Sequence, residues 1–260
     1  MSTVDIGLAR GGVELRQFFR DRAGMVFTFA LPAFILMLLG NITGDAPGAG
    51  QSLAASLLGA GIISTSFITL GVGVAQDRGD GTLKRLAGTP MSPGAYFVGK
   101  ITLVGLLSLA EAVLMIAVGV AFFDIELPTS LDKWLTFTWV FVLGVVSCGL
   151  LGLAIGGLVK SARSAPAVMN LPYIGLQFVS GVYVALPMLP KAMVTVASFF
   201  PLKWVAQGFR SVFLSDDMAI QEAAGAWEHG RTALVLGAWC VVGLVLSLLV
   251  FRSSSRRTGA

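Results

Sequence analysis

Glu111 is an isolated carboxylate deep in the apolar stretch 98–123. Placing a charge at such a depth costs about 2.5–3.5 kcal/mol on insertion scales. The residue therefore needs a polar partner, a water-filled path or a bound proton. Two readings follow: handling of a substrate or proton, or a protonated structural group bonded to a neighbouring helix. A second concentration of reactive types is the charged stretch Gln76-Asp77-Arg78-Gly79-Asp80-Gly81-Thr82-Leu83-Lys84-Arg85-Leu86-Ala87-Gly88-Thr89-Pro90. Asp80-Gly81 hints at a metal-binding aspartate motif, but no aspartate cluster follows, so no metal site is expected. Gly94-Ala95-Tyr96-Phe97-Val98-Gly99-Lys100-Ile101 nearly spells a phosphate-binding loop. Ile101 stands where a hydroxyl must hold Mg²⁺, and no strand precedes it. The energy for any work then comes from another polypeptide or an ion gradient. His229 is the only histidine, which excludes a His-rich metal centre and argues against Ser/His proteolysis. Cys148 and Cys240 both lie in apolar runs, so a disulfide framework is not expected, and Cys148 reads as a small packing residue. No catalytic residue emerges.

The elements that must position these residues are apolar. Hydrophobic residues make up 55% of the chain and charged ones 12%, against roughly a quarter charged in soluble domains. Uncharged runs alternate with short charged ones, and a run of about 18 or more apolar residues crosses the hydrocarbon core as a helix. The runs are continuous, unlike the alternating segments of about 10 residues in a β-barrel. The chain thus reads as a single all-α integral membrane domain over 1–260, with six transmembrane helices at about 23–42, 53–75, 98–123, 134–159, 166–186 and 232–251. Pro32 kinks the first, and Trp134 and Trp139 begin the fourth at the interface. The charged first 22 residues do not resemble a cleavable signal peptide, so the first run is expected to stay as an anchor.

Lysine and arginine set the orientation. With the N-terminus cytoplasmic, the inner segments carry Arg10, Arg16, Arg20, Arg22, Arg78, Lys84, Arg85, Lys100, Lys160, Arg163, Arg252, Arg256 and Arg257. The outer segments carry only Lys133, Lys191, Lys203, Arg210 and Arg231. Both termini are then cytoplasmic. The positive excess is a topology signal, and no nucleic-acid partner is implied. In 1–22, Leu8, Leu15, Phe18 and Phe19 share one helical face, which suits an amphipathic helix lying in the interface; a plain basic tail is the simpler alternative.

Between spans two and three, Asp80 is placed to cap a short helix, with Leu83, Leu86 and Ala87 on one face. Pro90 ends it, and Ser92-Pro93 opens the next helix. The short helix serves either as a docking element, its leucines seated in a partner's groove, or as a basic topology determinant. Gly152 and Gly156 in span four allow close helix approach, within the chain in preference to a dimer contact. The stretch 192–202 is apolar but too short to cross.

Gly81-Thr82-Leu83 followed by Thr89-Pro90, with Asp77, Arg78 and Asp80 ahead, resembles the cytoplasmic loop of ABC-2 type transporter permeases, drug-exporter-like. These are the membrane subunits of ATP-binding-cassette exporters. Ser180-Gly181-Val182-Tyr183, Leu186-Pro187-Met188-Leu189-Pro190, Phe200-Pro201-Leu202-Lys203-Trp204, Gln207 and Arg210 resemble the same family's late segment. The resemblance implies short re-entrant helices between spans five and six, involving Gly181, Pro187, Pro190, Pro201 and Arg210. It implies an ATPase-coupling loop at Gln76, Asp77, Arg78, Asp80, Gly81, Thr82, Leu83, Arg85, Leu86, Thr89 and Pro90. It further implies a separate ATPase subunit as partner and a second permease copy, as homodimer or heterodimer. No cofactor is expected on this chain, with ATP and Mg on the partner subunit. The implied setting is a prokaryotic plasma (inner) membrane. The expected function is ATP-driven export of hydrophobic drug, antibiotic or lipid-like cargo. An ion-coupled secondary transporter using Glu111 and an integral membrane lipid-processing enzyme are the alternatives.

Overall fold

The computed structural model describes residues 2–42, 48–88, 92–123 and 125–258. Asp45, Pro47, Thr89, Pro90 and Asp124 lie outside them. Among the described residues every regular element is helical. In order these are α1 (Thr3–Arg20), α2 (Arg22–Ile42), α3 (Ala49–Ile63), a π-helical segment (Ser64–Thr69), α4 (Leu70–Gly79), α5 (Thr82–Ala87), α6 (Pro93–Phe123), α7 (Leu131–Leu158), α8 (Ala165–Val179), α9 (Lys191–Ala197), α10 (Pro201–Phe213) and α11 (His229–Thr258). Short 3₁₀ turns lie at Leu186–Met188 and Asp216–Gln221.

Among the described residues five helices are long and apolar enough to cross a membrane: Gly24–Ile42, Ala49–Gly79, Gly94–Phe123, Leu131–Leu158 and His229–Phe251. The stretch 166–186 behaves differently. Helix α8 has 15 residues, about 22 Å at the usual rise, against a hydrocarbon core of about 30 Å. It stops because Gly181 takes a positive φ of 79° after Ser180, a conformation glycine adopts without penalty.

The second long helix does not end at residue 75. Backbone hydrogen bonding continues through α4 to Gly79, so Gln76, Asp77 and Arg78 form its last turn and not a loop. Asp80 does not cap α5 as its position suggested. It terminates α4, and Gly81, with φ of 71°, precedes α5 with no side-chain cap. Ser92 does open α6, its Oγ accepting from the Ala95 amide at 3.2 Å. Residues 94–101 are helical, which removes the resemblance to a phosphate loop.

Helix packing rests on small residues. A Cβ on Gly152 would stand 2.5 Å from the Phe67 carbonyl oxygen, and one on Gly156 would overlap the Gly71 carbonyl. The two glycines therefore bring α7 against the π segment and α4 within one chain. Gly208 similarly admits Val140, and Gly59 lies against the Ala206 backbone, seating α10 between α7 and α3. All 13 residues of α10 are buried. Large apolar side chains of α2, α8 and α11 instead point outward, among them Phe27, Phe34, Leu171 and Leu234, as lipid-facing surfaces do.

Replacing Gly156 with Leu is expected to cost at least about 1–3 kcal/mol, the usual range for overpacking, because the new side chain meets backbone. It should read out as a lower midpoint of monodispersity on heating in detergent. Gly237, with open space around its Cα, should accept Ala with no loss.

Candidate functional site

Polar side chains gather at three depths. The first group joins helices far apart in sequence. Lys100 on α6 is buried, and its Nζ lies 2.7 Å from Asp77 Oδ2 and 3.0 Å from Glu14 Oε2. Arg10 Nη2 reaches Glu14 Oε1 at 2.9 Å and Asp77 Oδ2 at 3.9 Å. Tyr96 donates its hydroxyl to Asp77 at 2.9 Å, and the Arg10 guanidinium sits over the Tyr96 ring at 4.8 Å. Two cations thus face two carboxylates, a neutral quartet that ties α1, the end of α4 and the start of α6 together. Arg78 makes a further tie by donating to the Gly157 carbonyl at the end of α7.

From this anchored turn the chain passes through Asp80 and Gly81 into α5. Gln76, Asp80 and Arg85 are exposed; Arg85 donates to the Thr82 hydroxyl at 3.0 Å. Leu83 and Leu86 are half-buried and pack against the chain's own core. The leucines therefore seat α5 on the bundle, while Arg85 faces outward. Thr89 and Pro90 fall outside the described residues.

The middle group surrounds Glu111. Its Oε2 accepts from Thr65 Oγ1 at 2.6 Å, and Oε1 lies against Gly61 with no hydrogen-bond partner. Ser66 and Ser108 hydroxyls are 3.3 Å apart, and Tyr173 donates to the Ala60 carbonyl at 2.7 Å. Gln177 donates to the Tyr173 hydroxyl at 2.9 Å. These groups line the π segment, where the wider turn breaks the ordinary hydrogen-bond ladder and side-chain hydroxyls serve its carbonyls.

The third group is built on Arg210. Its Nε donates to Glu222 Oε1 at 2.6 Å and one Nη to Oε2 at 3.1 Å. The other Nη donates to Ser56 Oγ at 2.9 Å and the Gly181 carbonyl at 3.1 Å. One buried guanidinium thereby joins α10, α3, the turn after α8 and the segment before α11. Pro187 lies in a 3₁₀ turn, Pro190 precedes α9, and Pro201 opens α10. Lys203 lies 3.8 Å over the Trp204 ring; burial pushes its ammonium below the usual range, against the pull of Glu228 and Glu222.

Sequence reasoning singled out Asp77, Glu111 and Arg210 but missed Glu14, Tyr96, Lys100, Thr65, Ser56 and Glu222 as their partners. Only Glu222 had a usable signal, since a buried arginine needs a counter-charge and this is a nearby downstream carboxylate. Among the described residues, no group of three or more His, Cys, Asp or Glu is placed to hold a metal ion.

Removing Lys100 leaves two carboxylates facing each other beside Arg10. Lys100→Met should destabilise the protein by about 3–5 kcal/mol, the cost of orphaning a buried charge. Adding Glu14→Gln to that variant should recover part of the loss. A double-mutant cycle on thermal unfolding in detergent checks both.

Residues 43–249 match the family described as ABC-2 family transporter protein. A protein of Porphyra purpurea named Putative transport permease ycf38 is 26% identical over 246 residues, covering 90% of this chain and 80% of that protein. The family match spans most of the chain, including all three polar groups apart from Arg10 and Glu14. Together with the apolar helices it makes this a membrane protein: the chain belongs to the ABC-2 family of transporter permeases.

Proposed function

We propose that this chain is the transmembrane half of an ATP-driven exporter whose ATPase is a separate subunit, docked at the turn between α4 and α5. The observation that carries this reading is the ion quartet around Lys100, which couples the end of α4 to α1 and α6. A push on α5 passes through a rigid, charge-tied corner into two long helices. Gln76, Asp80 and Arg85 present the polar contact surface, and Leu83 and Leu86 anchor α5 to the bundle. ATP and Mg then belong to the partner subunit.

The full arrangement has α1 lying in the inner interface and six crossings. Helix α8 makes the fifth with bilayer thinning or flanking residues, and α9 and α10 enter from the outer side without crossing. Both termini are cytoplasmic in a prokaryotic inner membrane, following the lysine and arginine distribution. Two permease copies line the path. The spans are apolar and weakly charged, which suits hydrophobic drug, antibiotic or lipid-like cargo.

Arg85→Glu with Asp80→Arg should abolish co-purification of an ATP-binding-cassette ATPase from native membranes by pull-down and mass spectrometry. The variant should still elute as a single folded species, because both side chains are exposed. Undiminished recovery of the ATPase would refute docking at this turn. Leu83→Asp with Leu86→Asp should lose folded protein as well as partner.

A second reading, ion-coupled transport, is favoured by one observation, the unpartnered Oε1 of Glu111. Glu111→Gln distinguishes the two. In an ATP-driven permease using Glu111 as a protonated bond to Thr65, transport persists within about tenfold, since a lone buried hydrogen bond contributes about 0.5–1.5 kcal/mol. Complete loss of uptake into vesicles, with folded yield unchanged, would support proton coupling.

A further inference from the structure

Helix α1 meets the rest of the chain with one side only. Gly7 and Gly11 lie against Val98, Gly99 and Thr102 of α6, while Arg10 and Glu14 turn toward Lys100 and Asp77. Away from that contact, Val4, Leu8 and Phe19 are each about half exposed, at 52%, 50% and 47%. At 100° per residue, Leu8 and Phe19 share one stripe and Arg16 with Arg20 form the stripe beside it. Arg22, also exposed, opens α2. Among the described residues, none of these three arginines has a carboxylate within ion-pair distance. The acidic residue between them, Asp21, accepts from the Gly24 amide through Oδ1 at 3.1 Å.

The depth of this face follows from the helices beside it. Gly24 begins the apolar stretch of α2, and Gly40 near its end lies against Phe123 at the end of α6. The 31 residues of α6 reach about 46 Å, so they overrun a core of about 30 Å. The excess lies at the Pro93 end, and α1 runs along it, with Thr3 near Gly94 and Gly11 near Thr102. Arg16, Arg20 and Arg22 therefore sit at the edge of the apolar slab, where headgroups lie.

We propose that the end of this face of α1 binds the phosphate headgroups of anionic phospholipid through Arg16, Arg20 and Arg22, with Phe19 in the acyl boundary. The proposal rests on the Arg20 end of α1 reaching the inner interface and deepens that reading by naming the lipid. Three cations against one carboxylate, beside exposed apolar side chains, leave a positive excess that complements an anionic membrane, each cation being worth about fivefold in lipid preference. The quartet joins the opposite side of α1 to Asp77.

The test uses the full chain carrying Phe19→Trp, purified without any ATPase and placed in phosphatidylcholine vesicles with minority phosphatidylglycerol. Quenching by brominated phosphatidylglycerol is compared with quenching by brominated phosphatidylcholine, and the chain that keeps Phe19 supplies the background from native tryptophans. Stronger quenching by the anionic lipid is expected. It should vanish with Arg16→Gln, Arg20→Gln and Arg22→Gln together, and persist when all three become Lys. If the triple Gln variant fails to insert, Arg16→Gln alone should lose the preference by about fivefold at most. Equal quenching by the two lipids, or a folded Gln variant that keeps the preference, overturns the proposal. So does unchanged lipid preference with loss of ATPase recovery, which assigns the arginines to an acidic protein surface. With no ATPase in the vesicles, failure of the exporter reading leaves this readout untouched.

Discussion

A backbone amide inside hydrocarbon has no water to turn to, and that constraint governs most of this protein. It forces the apolar runs into helices that satisfy their own ladders and leaves side chains to repair each interruption. Three interruptions among the described residues carry such repairs. Where the helix widens between Ser64 and Thr69, hydroxyls of Ser66, Ser108 and Tyr173 meet carbonyls of Ala60 and Ile62. Where α8 ends at Ser180, Arg210 donates to the Gly181 carbonyl. At the turn between α9 and α10, Trp204 and Trp239 donate their indole N–H groups to Ser198 and Phe199. Polar residues in this chain are concentrated at breaks in helical hydrogen bonding.

Burial of charge follows the same economy. Lys100 and Arg210 are both withdrawn from solvent, one near each end of the helical bundle, and each is met by carboxylates in short contact. Such pairs add little net stability over apolar packing. Their effect is geometric, since an unpaired charge in either place is costly enough to fix which helices must stay together. The inner set constrains the entry to α5, and the outer set constrains the fully buried α10. The two sets sit on opposite halves of the same long helix, which runs from Ser56 beside Arg210 to Asp77 beside Lys100.

Run length and charge deficit made the helical membrane architecture legible, because hydrophobic stretches of this length admit few alternatives. The Gly152–Gly156 pair was legible for a similar reason: small residues at i and i+4 permit only close approach. What could not be read was anything set by long-range proximity. Glu14 and Lys100 are 86 positions apart, and no local pattern links them. Helix ends were also misplaced where backbone conformation overruled composition. Charged Gln76–Arg78 look like loop but continue α4, since the quartet and the bond from Arg78 to Gly157 hold them in the helix. Asp80 has the chemistry of a cap, yet the left-handed Gly81 takes that place. The reach of the fifth apolar run was overestimated because Gly181 was not recognised as its stop.

The π segment has a consequence for how this helix presents its faces. A turn that closes at i+5 holds one residue more than an α turn, so everything beyond Thr69 is rotated by about 100° relative to an uninterrupted α-helix. The helix behaves as a phase shifter. A wheel drawn straight through Ala49–Gly79 misassigns one half whenever it fits the other. Ser56 can thus face Arg210 and Asp77 can face Lys100 on schedules that a single α-helical repeat does not reconcile. Deleting one residue in Ser64–Thr69 would restore the regular repeat, and in doing so would turn one of the two charged ends away from its partners.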